Sequence, residues 1–209
     1  MNAAPGNGIA METKSELRER MLDRRRALSV EARAELSEAA QRHLGEHALF
    51  REARGIALYR HLPSEVATEA LLARAWAEGK RVAVPTVAAG SGELEWVEVT
   101  RTTSFTAHAL GFEVPIEGPR IPSSALSLVV VPGVAFDLEG GRLGLGKGFY
   151  DRALAQRPAG LVAVGLAFTL QVVEAVPTES HDLRVDWVAT NSSVRRCGPA
   201  PAREVEPAR

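Results

Sequence analysis

The 209-residue sequence contains a single cysteine, Cys197. That excludes an intrachain disulfide framework and fits a reducing compartment; in a polar C-terminal stretch the thiol reads as incidental. Net charge is nearly absent, with 25 Lys and Arg against 26 Asp and Glu. No overall field therefore draws the chain to nucleic acid or to an acidic membrane, and any anion site has to be a local concentration of positive charge. No apolar run approaches the roughly 18 residues of a membrane-spanning helix. The opening MNAAPGNGIAMETK has no apolar signal-peptide core. No internal repeat is present. These absences place the expected protein in the cytoplasm, where the Asn191-Ser192-Ser193 sequon carries no meaning.

What is present is globular: 45% hydrophobic and 24% charged residues in a length that suits one domain with a real core. Residues 1–10 read as a disordered tail, 11–194 as a single domain and 195–209 as a flexible tail. Thr13 and Glu16 form a capping-box pattern that opens a helix running to about Ala27. Arg24, Arg25 and Arg26 within it read as surface charge. Ser29 caps a second helix over 30–47, and 68–78 reads as a third. Strands are expected at 55–62, 81–87 (ending near Pro85), 93–100, 161–168 and 185–190. The apolar run 126–136 reads as one strand buried on both faces. Alternating strands and helices predict a three-layer α/β/α domain with a largely parallel central sheet.

The most unusual stretch is RLGLGKGFYDR, 142–152, which follows that apolar run and precedes a helix. Glycines reach positive φ and admit close approach of a ligand; converging N–H groups, a helix start, Arg142 and Lys147 together suit a phosphate. The loop is not an orthodox P-loop, because Gly148 stands where a magnesium-binding Ser or Thr belongs. Nor is it a dinucleotide fingerprint, because Phe149 replaces the last glycine. A flexible glycine-rich turn with a stray lysine is the plain alternative. His43 and His47 are spaced like metal ligands, but no acidic third ligand is evident nearby. Tyr59, Trp76 and Trp96 are most simply packing residues.

The stretch 129–154, VVVPGVAFDLEGGRLGLGKGFYDRAL, resembles the signature of the 5-formyltetrahydrofolate cyclo-ligase family: a buried strand, P-G-x-x-F-D, then R-L-G-x-G-K-G-x-Y-D. Pro132, Gly133, Phe136, Asp137, Arg142, Leu143, Gly144, Gly146, Lys147, Gly148, Tyr150 and Asp151 all match. KSELRERMLDRRRALS (14–29), YRHLPSEVAT (59–68) and the closing segment 164–190 are similar to the family's flanking segments, in the same order. The resemblance implies a fold broadly shared with certain sugar-phosphate isomerases and CoA transferases. It also implies a reaction: 5-formyltetrahydrofolate, ATP and Mg2+ give 5,10-methenyltetrahydrofolate, ADP and phosphate. It implies that Lys14, Arg18, Arg142, Gly144, Gly146, Lys147, Gly148 and Tyr150 bind ATP, with Lys147, Arg142 and Tyr150 catalytic. Glu65, Tyr59, Arg60 and Tyr150 would contact the folate, with or without a polyglutamate chain, and Asp151 and Asp182 would help hold magnesium.

Departures from the family pattern are Leu145 between the loop glycines, Phe149 for a frequent tyrosine, Val114 before Pro115 with Glu113 shifted by one, and Ala67 for an acid. They leave the phosphate chemistry intact and bear on substrate detail. A non-catalytic homologue would be expected to have lost Lys147, Arg142 or Asp151, and none is lost. A nucleic-acid-binding domain is disfavoured by the charge balance. The expected partners are small molecules, in a monomer, with no nucleic acid or membrane.

Overall fold

Helix α1 (Lys14–Arg26) starts where the capping box places it: Glu16 N–H donates to Thr13 Oγ1, and Thr13 N–H to Glu16 Oε2. The structure, a computed structural model, describes residues 12–198. The expected tail at 1–10 and the expected C-terminal tail beyond 198 lie outside the described residues. In α1 only Leu17, Met21 and Arg25 are buried, spaced i, i+4, i+8 along one stripe. Arg25 is therefore not surface charge, as its basic neighbours Arg24 and Arg26 are; it is 1% exposed and occupies the third position of the inward stripe.

The chain continues through α2 (Val30–Glu46), α3 (Ala48–Glu52), β1 (Gly55–Ala57), α4 (Glu69–Ala77), β2 (Arg81–Val87) and β3 (Leu94–Glu98). Next come β4 (Phe105–Ala107), β5 (Glu113–Pro115), β6 (Arg120–Ile121), β7 (Leu128–Val131), β8 (Ala135–Phe136) and β9 (Arg142–Leu143). Helix α5 (Phe149–Ala155), β10 (Val162–Leu166), β11 (Trp187–Ala189) and β12 (Val194–Arg196) complete it. Eight strands form one sheet in the order β12-β11-β10-β7-β1-β2-β3-β6. The pairings from β11 through β2 are parallel, and β3, β6 and β12 are antiparallel additions at the edges. The largely parallel sheet matches expectation.

Alternation along the strands builds two unlike faces. Ile56, Leu58, Val82, Val84, Leu128, Val130, Val164 and Leu166 join the core that α2, α3 and α4 cover. Ala57, Ala83 and Ala163 point the other way, into the core with Phe136 and Leu154. Small residues there let Phe136 lie directly on the sheet. A Cβ at Gly165 would come within 2.3 Å of its ring, and one at Gly133 within 2.5 Å.

Three expected elements differ in extent. The strand expected over 55–62 stops its ladder at Ala57. Arg81 N–H donates to Arg54 O, so at two-residue spacing the donor facing Leu58 O is Pro85, which has no N–H. Pro85 itself does not end β2, which continues to Val87 in antiparallel pairing with β3. The run 126–136 is not one strand: Pro132 ends β7, and the chain turns so that β8 pairs with β9 in a separate hairpin. Arg195 and Arg196, read as the start of a loose tail, belong to edge strand β12, where Arg195 pairs with Val188.

β1 is flanked by β2 on one side and β7 on the other, so the strand order reverses beside it. In open parallel sheets ligands bind outside the carboxyl ends of strands at such a reversal. Tyr59 follows β1 there and Pro132 follows β7, and both line one cavity.

Candidate active site

This cavity holds about 570 Å³ and is lined from every side by residues singled out in the sequence. Lys14, Arg18, Tyr59, Arg60, Glu65, Arg142, Gly144, Gly146, Lys147, Gly148, Tyr150, Asp151 and Asp182 all reach it. Sequence separations as large as 168 residues are closed here, for Lys14 Nζ lies 2.6 Å from Asp182 Oδ2.

One end is cationic and is built on the glycine loop between β9 and α5. Gly146 (φ 86°) and Gly148 (φ 66°) adopt left-handed conformations that side-chain-bearing residues rarely take. Arg18 Nε donates to Gly144 O at 3.0 Å, so α1 grips the loop from across the cavity. The Arg142 side chain is 3% exposed and pairs with Asp151 at 2.7 Å. Lys147 is exposed, and among the described residues its ammonium has no ion-pair partner. The loop's base is held by Asp137, buried at 4% exposure, which accepts N–H bonds from Glu139 and Gly141 on Oδ1 and from Val176 on Oδ2. Sequence reasoning gave Asp137 no role. Its signal was present, since an aspartate two and four residues before loop amides is the usual author of an Asx-type turn.

Lys14 contacts Glu179 as well as Asp182. Partial burial alone would lower the lysine pKa, but the two carboxylates outweigh it and raise it. Burial likewise opposes ionisation of Asp182, yet Lys14 and the Glu179 amide bring its pKa below the usual value. Both groups are thus held charged.

The other end is apolar and carries a few oriented polar groups. Leu62, Pro85, Leu94, Leu110, Phe112 and Phe149 form its walls. Glu65 is buried, and burial holds its pKa above the ordinary carboxylate value against the opposing pull of the Leu62 amide and the charge of Arg25. The Tyr59 hydroxyl donates to Val66 O at 2.8 Å. Burial, and then Glu65, push the Tyr150 hydroxyl far above its normal range, so it stays protonated and can donate. Arg60 lines the cavity too, and its guanidinium also bonds Glu113, meets Glu69 at 3.3 Å and lies over the Phe105 ring. That latch ties β5 to the α4 start.

Glu69 also contacts His61 at 3.0 Å. Burial opposes its ionisation, but His61 and Arg60 bring its pKa down to about 2 from the ordinary 4.5. A depressed folded-state pKa contributes stability above the unfolded value and loses it as pH falls toward the folded value. Glu69→Gln is therefore expected to destabilise the protein at pH 7 by about 1 kcal/mol or less, since the carboxylate is half-exposed and solvent-screened. The deficit should shrink as pH falls from 4.5 toward 2. Urea unfolding of both proteins across that range checks it; a deficit independent of pH would exclude the ion pair as its source.

Two side chains dismissed as metal ligands have other work. His43 Nδ1 bonds Thr190 O, and His47 Nδ1 accepts the Leu49 amide at the start of α3. Burial, with Asp137 and Asp186 nearby, pushes the Cys197 thiol up to about 11, which keeps it unreactive. Among the described residues no helix is long and apolar enough to cross a membrane.

Magnesium is the one implied ion. No cluster of three metal-ligating side chains occurs among the described residues. Asp151 and Asp182 are both ion-paired in the cavity wall, one with Arg142 and the other with Lys14. One or two carboxylates, with waters and substrate phosphates, are the usual protein contribution to a magnesium site, so this donor set fits.

The comparisons agree with this geometry. A model of the 5-formyltetrahydrofolate cyclo-ligase family matches residues 10–191. The 5-formyltetrahydrofolate cyclo-ligase of Escherichia coli K12 is 33% identical over 82% of this chain and 96% of its own. The mouse protein of that name is 29% identical over 92% of this chain and 98% of its own. Among solved structures, 5,10-methenyltetrahydrofolate synthetase from Aquifex aeolicus superposes with a TM-score of 0.79 at 35% identity, covering 93% of this chain and 97% of its own. The synthetase from Mycoplasma pneumoniae, at 22% identity and a TM-score of 0.71, shares the fold. The family motif lies on the glycine loop that lines the cavity, and the likeness extends over most of each chain: the protein belongs to the 5-formyltetrahydrofolate cyclo-ligase family.

Proposed function

We propose that the protein converts 5-formyltetrahydrofolate to 5,10-methenyltetrahydrofolate with cleavage of ATP to ADP and phosphate. The observation that carries this is a single cavity with a cationic glycine loop at one end and apolar walls around Glu65 and two tyrosines at the other. A triphosphate suits the first end and a bicyclic folate the second.

The formyl oxygen on N5 is a poor leaving group. Its attack on the γ-phosphorus forms an O–P bond, breaks the bond to ADP and leaves the formyl carbon activated. N10 then attacks that carbon, phosphate leaves with the oxygen, N10 loses its proton and the five-membered ring closes. Phosphoryl transfer needs position and charge neutralisation more than covalent help from the protein. Lys147 and Arg18 would neutralise the phosphates, and Lys14 would reach the same nucleotide while holding Asp182. Arg142, fixed by Asp151, would present its remaining donors to the transferring group. The amides of Gly144, Gly146 and Gly148 would line the phosphate path. Mg2+, held through Asp151 and Asp182, would add neutralisation of the triphosphate when bound.

At the folate end, the Glu65 carboxylate oxygens would accept N–H donors of the pterin ring, and Tyr150 would donate to an oxygen of either substrate. Tyr59 and Arg60 would contact the folate from the same wall, with Arg60 also holding β5. We also assign the activity to a monomer in the cytoplasm. The test is direct: purified protein with 5-formyltetrahydrofolate and MgATP should give growing near-ultraviolet absorbance of the methenyl product, and none without ATP or with the metal chelated. No product from folded protein that still binds ATP would shift the reading toward another formylated or amide substrate, with Leu145 and Val114 as the altered positions.

A further inference from the structure

Arg25 is an outlier in the physics of this fold. It is 1% exposed, yet among the described residues no carboxylate lies within 4 Å of it. Its Nη1 donates to Gly133 O at 3.2 Å and its Nη2 to Ser64 Oγ at 2.6 Å, while Nε is buried with no partner. A buried cation without a contacting counterion is costly, and few such groups persist without a reason. Both of its anchors adjoin the folate end of the cavity. Gly133 lines the cavity, and Ser64 immediately precedes Glu65.

We propose that Arg25 is a positioning residue for the folate end: it fixes the Ser64–Glu65 turn from behind and holds Glu65 as an anion. The proposal rests on the cyclo-ligase reading of the site, because only a folate-like ligand gives Glu65 its task. The geometry supports it on both counts. Glu65 Oε2 already takes the Leu62 amide at 2.9 Å, so the turn that Ser64 anchors also aims this carboxylate. Burial works against its charge, and Arg25 is the permanent cation that opposes burial. The other groups around it cannot substitute. His61 and Tyr59, on its own segment, are a titrating imidazole and a neutral phenol. Tyr150 from α5 is neutral, and Glu69 from α4 is negative and engaged with His61 and Arg60. Arg33 from α2 faces Arg25 and adds only repulsion to it.

Arg25→Met keeps the volume and removes the charge; Arg25→Lys keeps the charge but cannot span both Gly133 O and Ser64 Oγ. Dissociation constants for 5-formyltetrahydrofolate and, separately, for MgATP would be measured from pH 5.5 to 8.5, after thermal unfolding shows which variants fold. Arg25→Met should weaken folate binding at least tenfold, by a further tenfold or so at pH 6 relative to pH 8, because Glu65 then takes up a proton at higher pH. MgATP affinity should change less than twofold. His61 gains charge as pH falls in wild type and variant alike, so it cancels in the comparison. Arg25→Lys should weaken folate binding severalfold without moving the acid limb. Folate affinity within twofold of wild type, or equal losses for both ligands, overturns the proposal. If Arg25→Met does not fold, Arg25→Lys carries the same test through its folate-to-ATP split. Wild-type protein that binds no 5-formyltetrahydrofolate would fail the reading of the site itself; wild-type binding with unaffected variants would fail Arg25 alone.

Discussion

Replacing Lys147 with alanine should lower kcat/KM by about 100- to 1,000-fold, the usual effect of deleting one preorganised group that meets developing charge. The size follows from what Lys147 is not doing in the free protein. Its ammonium is exposed and, among the described residues, unpaired, so little folding energy depends on it. The melting temperature of Lys147→Ala should stay within a degree or two of wild type while turnover collapses. Arg142→Ala makes a useful contrast. It would strand Asp151, a partly buried carboxylate, and lose stability as well as rate. If Lys147→Ala kept a third or more of the wild-type rate, the glycine loop would not be the phosphate site.

The largest expected effect on stability lies at Asp137. Its carboxylate takes three backbone N–H groups at 2.7–2.9 Å in a buried setting. Asp137→Ala leaves all three without partners, and each such orphan costs about 1–3 kcal/mol. A total of about 3–5 kcal/mol is expected, which for a domain of this size is a fall in Tm of roughly 10 °C or more. Asp137→Asn should be intermediate. Its amide oxygen can keep the Glu139 and Gly141 bonds, while its NH2 opposes the Val176 donor. Differential scanning calorimetry of the two variants checks the ranking. A fall of less than about 3 °C in the alanine variant would mean that the loop re-pairs its amides locally.

The sequence carried the parts of this protein that depend on local chemistry. The capping box at Thr13, the cap at Ser29, the parallel-strand signals and the glycine loop were all visible, because each is decided by neighbours within a few residues. The family likeness gathered the cavity-lining side chains in advance. What stayed hidden was decided across the fold. Arg25 sits in a run of three arginines and nothing local marks the middle one as buried; the stripe through Leu17 and Met21 does so only once Gly133 and Ser64 are in place. The apolar run 126–136 reads as one strand because pattern cannot tell a strand from a strand that must turn under Phe136. β12 reads as tail because an edge strand with one partner needs no apolar alternation. Nothing local shows that Arg60, besides lining the cavity, bridges Glu69 and Glu113.

The contact between Lys14 and Asp182 joins the first turn of the first helix to the segment before the penultimate strand. Few contacts in the molecule span more chain. During synthesis, therefore, α1 must wait: its Lys14 has no Asp182 to meet until nearly the entire domain has left the ribosome. Such distant closures come late and slowly in folding. A chain halted between the glycine loop and Asp182 would carry that loop but leave Lys14 without its partner, so such truncated forms should be silent toward ATP rather than partly active.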